Sequence, residues 1–582
     1  MIIVARTLSE SEKEEIASKE VIQLSDLDSG EDQQTYRNRL FEWIDGMDNL
    51  TFNGQTPFEY FKIEDRSYWL HIRAKLFYEL FNDAQILDRI ADNIDLGKIS
   101  EVYCKNNQKP FWERWSPQAK IFGEESDNVP ASSKIDFSIL YKRLWDMRKS
   151  YKAYRRFRSL PEKRPIGFSH SNNNIDKSGY LWDKQIGPLL DAVENKWLRI
   201  EYLPIPSVKF KARKTGHINQ KRIHPTITTD ALAFRYLLTH PTAILKLKKN
   251  LDALKQKIGK PLEHDFDFRY HNEIWLKHLH QLIKSVVPSI AFFHFLNEVF
   301  RWFFGKYRPP FVVVSGENNN IGRTFADSAK ELNIQTFGIQ HGIISPHNID
   351  YRFTLKESKV APPDHFFVWG ETTHDYLIKQ SNYKPNRIHV VGQLFSDTRK
   401  EPVPDSSILE YRKRRNKPVL FFASQQQQNP LSRSETARAL ARFCKQNHLC
   451  CALKYHPTEK RDNLHRQCFA EEDIEDDFTV VDGDLYDIIV ASDYGSTCYS
   501  TVAWEVMLLK KPVIIIDPLN INLLKLRNEP SVFHTVNQQS FGNWQNNLNT
   551  HIEKNYQMAL KIFGPRDGKV AKRILETTEN II

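Results

Sequence analysis

Polar residues suited to binding a phosphate group follow two apolar runs in the C-terminal part of the chain. The segment Lys454–Pro457 follows the apolar run Leu449–Leu453, and Ser496 and Thr497 lie farther along. Both segments have the order strand, turn, helix, so we expect them at the carboxyl ends of neighbouring parallel strands, where α/β sheets bind ligands. A hydroxyl group at a helix start lies beside unpaired backbone N–H groups that bind phosphate. The pattern predicts a nucleotide-phosphate site.

The second segment predicts a strand at Ile488–Ala491 and then the helix Ser500–Leu509, with Ser496 and Thr497 where the helix begins. Ser500 and Thr501 add hydroxyl groups that could hold phosphate oxygens. Thr501 and Glu505 are spaced i, i+4 and share a helix face, so Glu505 could accept hydrogen bonds from ribose hydroxyls. The alternative is an ordinary helix N-cap with Glu505 on a solvated face.

His456 is followed by Pro457, which restricts the histidine to an extended conformation. An imidazole held in this way can donate a hydrogen bond to a phosphate that gains charge as it leaves, whereas the alternative is a histidine in a simple turn. Lys454 ends the same predicted strand. Ser424 begins the loop after another predicted strand, and the glutamine run Gln425–Gln428 in that loop could contact a nucleotide.

Two candidate acid–base residues follow predicted strands in the middle of the chain. Glu317 lies in a Ser-Gly-Glu-Asn-Asn-Asn loop, and His341 lies in a Gln-His-Gly segment whose glycine allows close backbone approach. If their strands are neighbours, a carboxylate and an imidazole meet at one edge as a general base or nucleophile, and the alternative is polar loop capping. Asp176, in a predicted polar loop at 170–179, and Asp183, in a helix predicted from about Leu181, are further acid–base candidates.

The sequence gives little support for a bound metal or a nucleotide loop of the common types. Asp482-Gly-Asp484 has the form of a metal-bound nucleotide site, but Asp-Gly is also a frequent turn, and the acidic segment Glu471–Asp477 has no ligand spacing around it. Neither a Walker A sequence nor G-x-G-x-x-G is present. We therefore expect no metal and no cofactor.

Composition points to a folded, multidomain protein with an anionic partner. The chain has 582 residues, 40% hydrophobic residues and 12% aromatic residues, which predicts two to four domains. The net charge of +10 suits a sugar nucleotide, an anionic polymer, a nucleic acid or a membrane surface. Because no nucleic-acid recognition motif is present, nucleic acid is the least favoured of these partners. The six cysteines form no framework or zinc spacing, which is typical of a reducing cytosol.

Two segments bear on membrane association. The apolar stretch Val286–Phe304 contains Pro288 and the polar residues His294, Asn297, Glu298 and Arg301. We therefore interpret it as a buried or amphipathic helix and not as a membrane span. The predicted helix at 141–158 combines aromatic and basic residues and could rest on anionic lipid or a polyanionic acceptor, or its aromatic residues could simply pack. We expect a cytoplasmic protein, with a peripheral position at the inner face of the cell membrane as an option.

The order of predicted elements indicates four regions. An α/β accessory module covers 1–100, a basic helical linker 101–160, one Rossmann-like domain 161–398 and a second 399–582, with a hinge at 401–415. Strands and helices alternate at the spacing typical of parallel sheets. The predicted fold class is α/β, with two Rossmann-like doubly wound domains facing a cleft.

With these residues placed, the chain resembles the GT-B glycosyltransferases of bacterial capsule and surface-polysaccharide biosynthesis. The resemblance covers roughly residues 160–580 and rests on these segments: Phe311–Gly342, Pro363–Gly370, Val391–Gly392, Lys454–Pro457 and Ser496–Glu505. It implies that the C-terminal domain binds the nucleotide donor, that the other Rossmann-like domain binds the acceptor, and that no metal is needed.

The His-Pro segment followed by hydroxyl residues is similar to that of cytidine-nucleotide users. These include Kdo transferases, bacterial sialyltransferases and teichoic-acid polyol-phosphate transferases. The resemblance gives His456, Ser496 and Thr497 the role of contacting the nucleotide phosphate. It implies transfer of a sugar, most readily from a CMP-linked donor, to a surface polysaccharide or glycolipid. The alternatives are a CDP-polyol phosphotransferase, a sugar-nucleotide epimerase and, outside enzymology, a polyanion-binding protein.

Overall fold

The computed structural model describes the greater part of the chain. The described residues are 2–4, 16, 19–23, 48, 51–76, 98–104, 118–122, 155, 163–170, 174–177, 180–194, 196–202, 221–260, 272–344, 349–351, 363–380, 383–399, 401–425, 430–456, 459, 461–518, 524–537 and 540–582. Apart from Arg155, the basic segment 141–158 lies outside them.

The strands and helices are numbered here in chain order. The strands are β1 Ile2–Val4, β2 Val21–Gln23, β3 Lys62–Ile63, β4 Arg66–Ser67, β5 Glu101–Tyr103, β6 Lys120–Phe122, β7 Ile166–His170, β8 Asn174–Lys177, β9 Tyr180–Asp183, β10 Leu198–Tyr202, β11 Lys221–Arg222, β12 Thr226–Thr228, β13 Phe311–Ser315, β14 Gln335–Ile339, β15 His365–Val368, β16 Ile388–Val390, β17 Val419–Ala423, β18 Cys450–Lys454, β19 Phe478–Val480, β20 Tyr494–Thr497, β21 Val513–Ile515 and β22 Phe533–His534. The helices are α1 Pro57–Tyr60, α2 Gly187–Ala192, α3 Thr229–Thr239, α4 Ala243–Gly259, α5 Asn272–Tyr307, α6 Asn320–Lys330, α7 Glu371–Gln380, α8 Leu394–Asp397, α9 Ser406–Arg415, α10 Pro430–Gln446, α11 Leu464–Glu471, α12 Leu485–Ala491, α13 Val502–Leu508, α14 Phe541–Gln545, α15 Leu548–Phe563 and α16 Val570–Ile581.

The chain divides into two compact units. The first comprises Met1–His341, Pro346–Phe366 and Leu377–Arg387, and the second comprises Gly342–Ser345, Phe367–Tyr376 and Ile388–Ile582. A small parallel sheet of order β2-β1-β5-β6 lies in the first unit, so its strands continue beyond residue 100. The domain boundaries given above stay a prediction.

Each unit contains a large sheet with the same pattern of strand order. The first sheet has the order β12-β10-β7-β13-β14-β15-β16, and the second has the order β19-β18-β17-β20-β21-β22. In each, the chain adds two strands on one side of the earliest strand and then crosses to the other side, which is the Rossmann order with its switch point. All pairs in the second sheet are parallel, as are those from β12 to β14 in the first. The α/β fold with two Rossmann-like sheets is thereby confirmed.

The second sheet is covered on both faces because its strands alternate between two apolar cores. Phe421 and Ile515 pack with residues of α9, α12, α13 and α15, whereas Phe422 and Ile514 pack with residues of α10, α11 and α14. Strands buried on both faces, such as β17, are usually apolar along their whole length in a doubly wound fold.

The core of the first unit is centred on α5. This helix packs against α6 and α4, and its buried residues share one core with Phe168, Val312 and the N-terminal aromatic residues Tyr60 and Trp69. The segment Leu282–Tyr307 is the single described helix long and apolar enough to cross a membrane by composition, and 61% of its apolar window is buried inside the protein.

Some sequence-based predictions about local structure are wrong. The polar loop that contains Asp176 and the predicted helix start at Leu181 form an antiparallel hairpin of β8 and β9. The predicted strand Ile488–Ala491 is the end of α12. Asp484 caps the N-terminus of this helix by accepting hydrogen bonds from the N–H groups of Tyr486 and Asp487. These short runs carry no decisive periodicity, so the cap and the tertiary contacts determine their conformation.

The hinge predicted at 401–415 stays a prediction, but the segment is not an extended linker. Much of this segment is α9, which Asp405 caps through the N–H groups of Ser407 and Ile408. Ile408 and Tyr411 of α9 are buried in the core of the second sheet. The charged residues that suggest a flexible linker therefore lie on the outer face of a packed helix.

We predict that Gly322→Ala destabilises the first unit. A Cβ atom at Gly322 would lie 2.1 Å from the backbone oxygen of Gly316, so the loop that contains Glu317 would have to move. We expect the free energy of unfolding to fall by about 1–3 kcal/mol, the usual effect of overpacking. Gly259→Ala is the matched control, because nothing lies within 4 Å of a Cβ atom there. Chemical denaturation with equal losses for both variants would contradict the prediction.

Candidate functional site

Gln425 connects the two loops at the switch point of the second sheet. It follows β17, and its Oε1 atom accepts hydrogen bonds from the backbone N–H of Tyr499 at 3.2 Å and from the Thr497 hydroxyl at 3.4 Å. Gln425 is 8% exposed. Its Nε2 donor makes no hydrogen bond of standard geometry among the described residues, although the Gln425 side chain interacts with the Tyr499 hydroxyl and opposes the rise that burial causes in the pKa of Tyr499. A buried donor without an acceptor is unfavourable, so this amide is suited to a ligand oxygen at the position where Rossmann sheets bind nucleotides.

Glu459 connects the loops that follow β17 and β18. Its carboxylate accepts hydrogen bonds from the Ser424 hydroxyl at 2.6 Å and from Arg433 at 2.9 Å, and its Oε2 atom also accepts a longer one from the His456 backbone N–H at 3.4 Å. Ser424 and His456, both predicted from the sequence, are thus held on one carboxylate. The group comprising Ser424, Gln425, His456, Glu459, Thr497, Tyr499 and Ser500 is called the β17–β20 site below.

The predicted helix start at Ser496 and Thr497 is wrong. Both residues belong to β20, where they pair with β17 and β21 and are buried. The strand is possible because Gly495 lets Val506 pack directly on it; a Cβ atom at this position would lie 2.5 Å from both Val506 methyl groups. The Ser496 hydroxyl has no partner among the described residues, and the Thr497 hydroxyl donates to the backbone oxygen of Ala423 at 3.1 Å.

The hydroxyl residues after β20 make local turn bonds. The Thr497 hydroxyl accepts from the Ser500 N–H at 3.3 Å, and the Ser500 hydroxyl accepts from the Val502 N–H at 3.3 Å. Thr501 is exposed at the N-cap of α13 without a side-chain cap bond, and Glu505 lies half-buried in the first turn of that helix. The helix predicted at Ser500–Leu509 exists as α13, Val502–Leu508.

Lys454 and His456 lie at the end of β18 with different exposure. The Lys454 ammonium donates to the Gly483 backbone oxygen at 2.7 Å, and burial lowers its pKa although acidic neighbours oppose the shift. His456 is exposed, whereas Pro457 lies outside the described residues. In the Asp-Gly-Asp segment, Asp482 pairs with Arg461 while Asp484 caps α12. Within the described ranges, no group of three or more His, Cys, Asp or Glu residues is placed to hold a metal.

The first sheet has its own polar edge at the switch point between β7 and β13. The His170 ring at the end of β7 is hydrogen-bonded to the Asn319 side chain at 3.0 Å, and Asn319 also caps α6 through the N–H groups of Ile321 and Gly322. Gly316 adopts a φ of +79°, which allows the tight turn that brings Asn319 back to β13. Below, the group His170, Glu317, Asn319, His341 and Tyr351 is called the β7–β13 site.

Glu317 is a buried carboxylate whose protonation changes near neutral pH. It is 4% exposed and accepts a 2.6 Å hydrogen bond from the Tyr351 hydroxyl at Oε1, while Oε2 has no partner among the residues described. Burial raises the pKa of Glu317 to about 7, and the hydrogen bond from Tyr351 opposes the shift. A carboxyl group that titrates near pH 7 can both accept and return a proton, which is the requirement for general acid–base catalysis.

His341 follows β14, and β13 and β14 are neighbours in register, as the sequence-based hypothesis required. Burial lowers the pKa of His341 to about 4, with the charge of His170 acting in the same direction. The backbone oxygen of His341 accepts from Gln185 at 3.1 Å. The Glu317 side chain lies over Gly338, 3.1 Å from where a Cβ atom would be, and bonds Tyr351. The two candidates thus have different immediate partners, and their pairing stays a prediction.

Asp183 has a structural role. It is fully buried, pairs with the buried Arg199 at 2.9 Å and accepts hydrogen bonds from the N–H groups of Gln185 and Ile186 at the start of α2. Asp176 lies in β8 opposite Leu181. The sequence interpretation missed Glu459 and Tyr351. It noted that Gln425–Gln428 could contact a nucleotide, but it did not indicate that Gln425, two residues after β17, connects the two loops.

Comparison with known proteins identifies no family for the chain. No family model and no curated protein matches it. Solved structures that resemble it include S. aureus MnaA with UDP, at 13% identity and TM-score 0.40, covering 72% of this chain and 98% of that one. Anabaena HepE in complex with UDP and glucose has 12% identity and TM-score 0.39, with coverage of 72% and 100%. A UDP-N-acetylglucosamine 2-epimerase has 13% identity and TM-score 0.42, with coverage of 72% and 95%.

We predict that Glu317 makes stability depend on pH near neutrality. Because the folded state raises its pKa from 4.5 to about 7, the stability that the neutral carboxyl provides is complete below pH 4.5 and is lost as the pH rises to about 7. Relative to the parent, Glu317→Gln should therefore gain free energy of unfolding over this range, on the order of 3 kcal/mol in total. Denaturation of both proteins from pH 4 to 8 measures the difference.

The exposed Glu371 in the first turn of α7 provides the control. Glu371→Gln measures what the loss of an exposed carboxyl group does to stability over the same pH range, and the change with pH for Glu317→Gln should exceed it. A difference for Glu317→Gln that does not change with pH would show that its carboxyl group does not titrate near pH 7.

Proposed function

We propose that this protein is an enzyme that uses a nucleotide sugar. The observation that carries the proposal is the pair of Rossmann-type switch points, one with an unpaired buried amide at Gln425 and the other with a carboxyl group of raised pKa at Glu317. The β17–β20 site supplies donors suited to a nucleotide phosphate, namely the amide of Gln425 and the imidazole of His456. The β7–β13 site supplies the group that accepts or gives a proton.

Glu317 is suited to proton transfer for two physical reasons. Its burial removes water from around the carboxylate, which makes the charged form a stronger base. The Tyr351 hydroxyl at 2.6 Å fixes the orientation of one oxygen and leaves the other available. His341 follows the neighbouring strand β14, and its lowered pKa keeps the ring uncharged at pH 7, so it can serve as a hydrogen-bond donor or acceptor.

Two reactions of a nucleotide sugar use such a group. Epimerisation of the sugar requires a dry base that removes a proton from carbon, and the 4% exposure of Glu317 favours this reaction. Glycosyl transfer requires a base that activates an acceptor hydroxyl, and the family resemblance of the Gln-His-Gly and His-Pro segments favours this second reaction. A CMP-linked donor and a glycan or glycolipid acceptor belong to the second alternative and rest on that resemblance.

Nucleotide binding at the β17–β20 site is tested by calorimetry with CMP, CDP, UDP and GDP. We expect the parent to bind at least one of them, and both Gln425→Ala and His456→Ala to weaken that binding roughly tenfold, the effect of one hydrogen bond to a charged group. Gln446→Ala, at an exposed position of α10, is the matched control. Failure of the parent to bind any of the four would exclude the nucleotide site.

The two reactions differ in whether they need an acceptor and in whether solvent hydrogen enters the nucleotide sugar. Incubated in D₂O without an acceptor, an epimerase incorporates deuterium into the recovered nucleotide sugar, whereas a transferase releases nucleotide only when an acceptor is added. We expect Glu317→Gln to lower turnover by 10²-fold or more with nucleotide affinity unchanged, and kcat/KM of the parent to rise with pH through about 7. Full turnover of Glu317→Gln would remove this residue from the mechanism.

A further inference from the structure

The junction of α3 and α4 exposes large apolar side chains that elsewhere in the protein are mostly buried. Phe234 is 49% exposed, Leu238 60%, Ile244 58% and Leu245 67%, and these four lie within two short stretches on either side of one turn. They are called the α3–α4 patch here. Isolated exposed apolar residues are ordinary, but an apolar cluster of this kind indicates a surface that contacts another apolar phase.

The patch lies on helices whose other faces are anchored. In α3, Leu232 and Tyr236 are buried, and the Tyr236 ring stacks on His240 and meets Trp302 of α5 edge to face. In α4, Leu254 and Ile258 belong to the core of the first unit. Because the core-facing residues of both helices are already packed, the exposed apolar residues do not belong to the faces that bury against the core of the first unit.

Basic residues are placed one helical turn from the apolar residues of α4. Ile244 and Lys248 are spaced i, i+4, as are Leu245 and Lys249, so each apolar side chain shares a helix face with an exposed lysine.

The charge of α4 favours an anionic partner over a second copy of this chain. The helix contains five lysines and one aspartate. Of the lysines, Lys246 pairs with Glu64 at 2.9 Å and Lys257 donates to the Glu59 backbone oxygen at 3.0 Å. Lys248 and Lys249 point to solvent. Two like copies of such a surface would repel each other, whereas the negative surface of an anionic bilayer attracts it.

We propose that the α3–α4 patch docks this protein on an anionic lipid bilayer, with the apolar side chains entering the acyl boundary and the lysines at the headgroups. The inference does not depend on the reaction at either candidate site. It also assigns membrane contact to a segment other than the basic helix predicted at 141–158.

Vesicle flotation of the full chain tests the proposal. We expect binding to vesicles of phosphatidylcholine with phosphatidylglycerol, and much weaker binding to phosphatidylcholine alone. The double variant Ile244→Ser, Leu245→Ser should bind the anionic vesicles at least roughly tenfold more weakly, since two large apolar side chains no longer enter the acyl boundary. Lys248→Gln with Lys249→Gln should weaken binding about fivefold per lysine on anionic vesicles only.

Val403→Ser is the matched control, because Val403 is 71% exposed and lies outside the patch. It should float like the parent, and all variants should keep the melting temperature of the parent. Equal flotation of the parent and the serine double variant would overturn the proposal. So would a parent dimer, detected by light scattering, that dissociates in the serine variant, because a second copy would then cover the patch.

A label at the patch gives an independent measurement. All six cysteines are buried, so Leu245→Cys can be labelled selectively in the folded protein with an environment-sensitive fluorophore. Its emission should shift to the blue on anionic vesicles, whereas the same label in Val403→Cys should not respond. A label at 245 that reports water in the presence of vesicles would contradict insertion even if the protein floats.

Discussion

The crossing of the chain at the switch point of each parallel sheet is the constraint on which both candidate sites depend. In the first sheet the chain places β10 and β12 on one side of β7 and then β13 on the other side. In the second sheet it places β18 and β19 on one side of β17 and then β20 on the other side. Two loops therefore leave adjacent strand ends in opposite directions, and their N–H groups cannot be paired by further strands. Side chains take over this pairing. In the first sheet Asn319 accepts from the N–H groups of the loop, and its side chain is bonded in turn to the His170 ring. In the second sheet Gln425 accepts from the Tyr499 N–H.

The two sites differ in how many hydrogen bonds their buried carboxylates accept. In the second sheet, Glu459 is buried but accepts hydrogen bonds from Ser424 and Arg433, so its charge is compensated within the loop structure. In the first sheet, Glu317 has one hydrogen bond from Tyr351 and a second oxygen without a partner, and burial raises its pKa to about 7. A compensated carboxylate organises a loop, whereas an under-compensated one keeps a proton available for transfer.

The sequence allowed the sheets to be predicted more reliably than the site geometry. Apolar runs such as Val419–Ala423 and Phe311–Ser315 are strands because no other element buries both faces of so short a segment. β20 was missed because its Tyr-Gly-Ser-Thr sequence is polar, and its place in the sheet depends on how closely α13 packs on Gly495. Contacts between distant segments, such as Tyr351 with Glu317 or Gln425 with Tyr499, leave no local pattern in the sequence. The glutamine run was visible, but the burial of Gln425 and its partners were not.

The central claim is that a nucleotide phosphate binds at the switch point of the second sheet. A crystal structure with the nucleoside diphosphate of highest affinity tests it most directly. The account predicts phosphate oxygens within hydrogen-bond distance of the Gln425 amide and of the backbone N–H groups at Tyr499 or Ser500, with Gln425 still bonded to Thr497. A nucleotide bound elsewhere, with the Gln425 amide left unpaired, would contradict it.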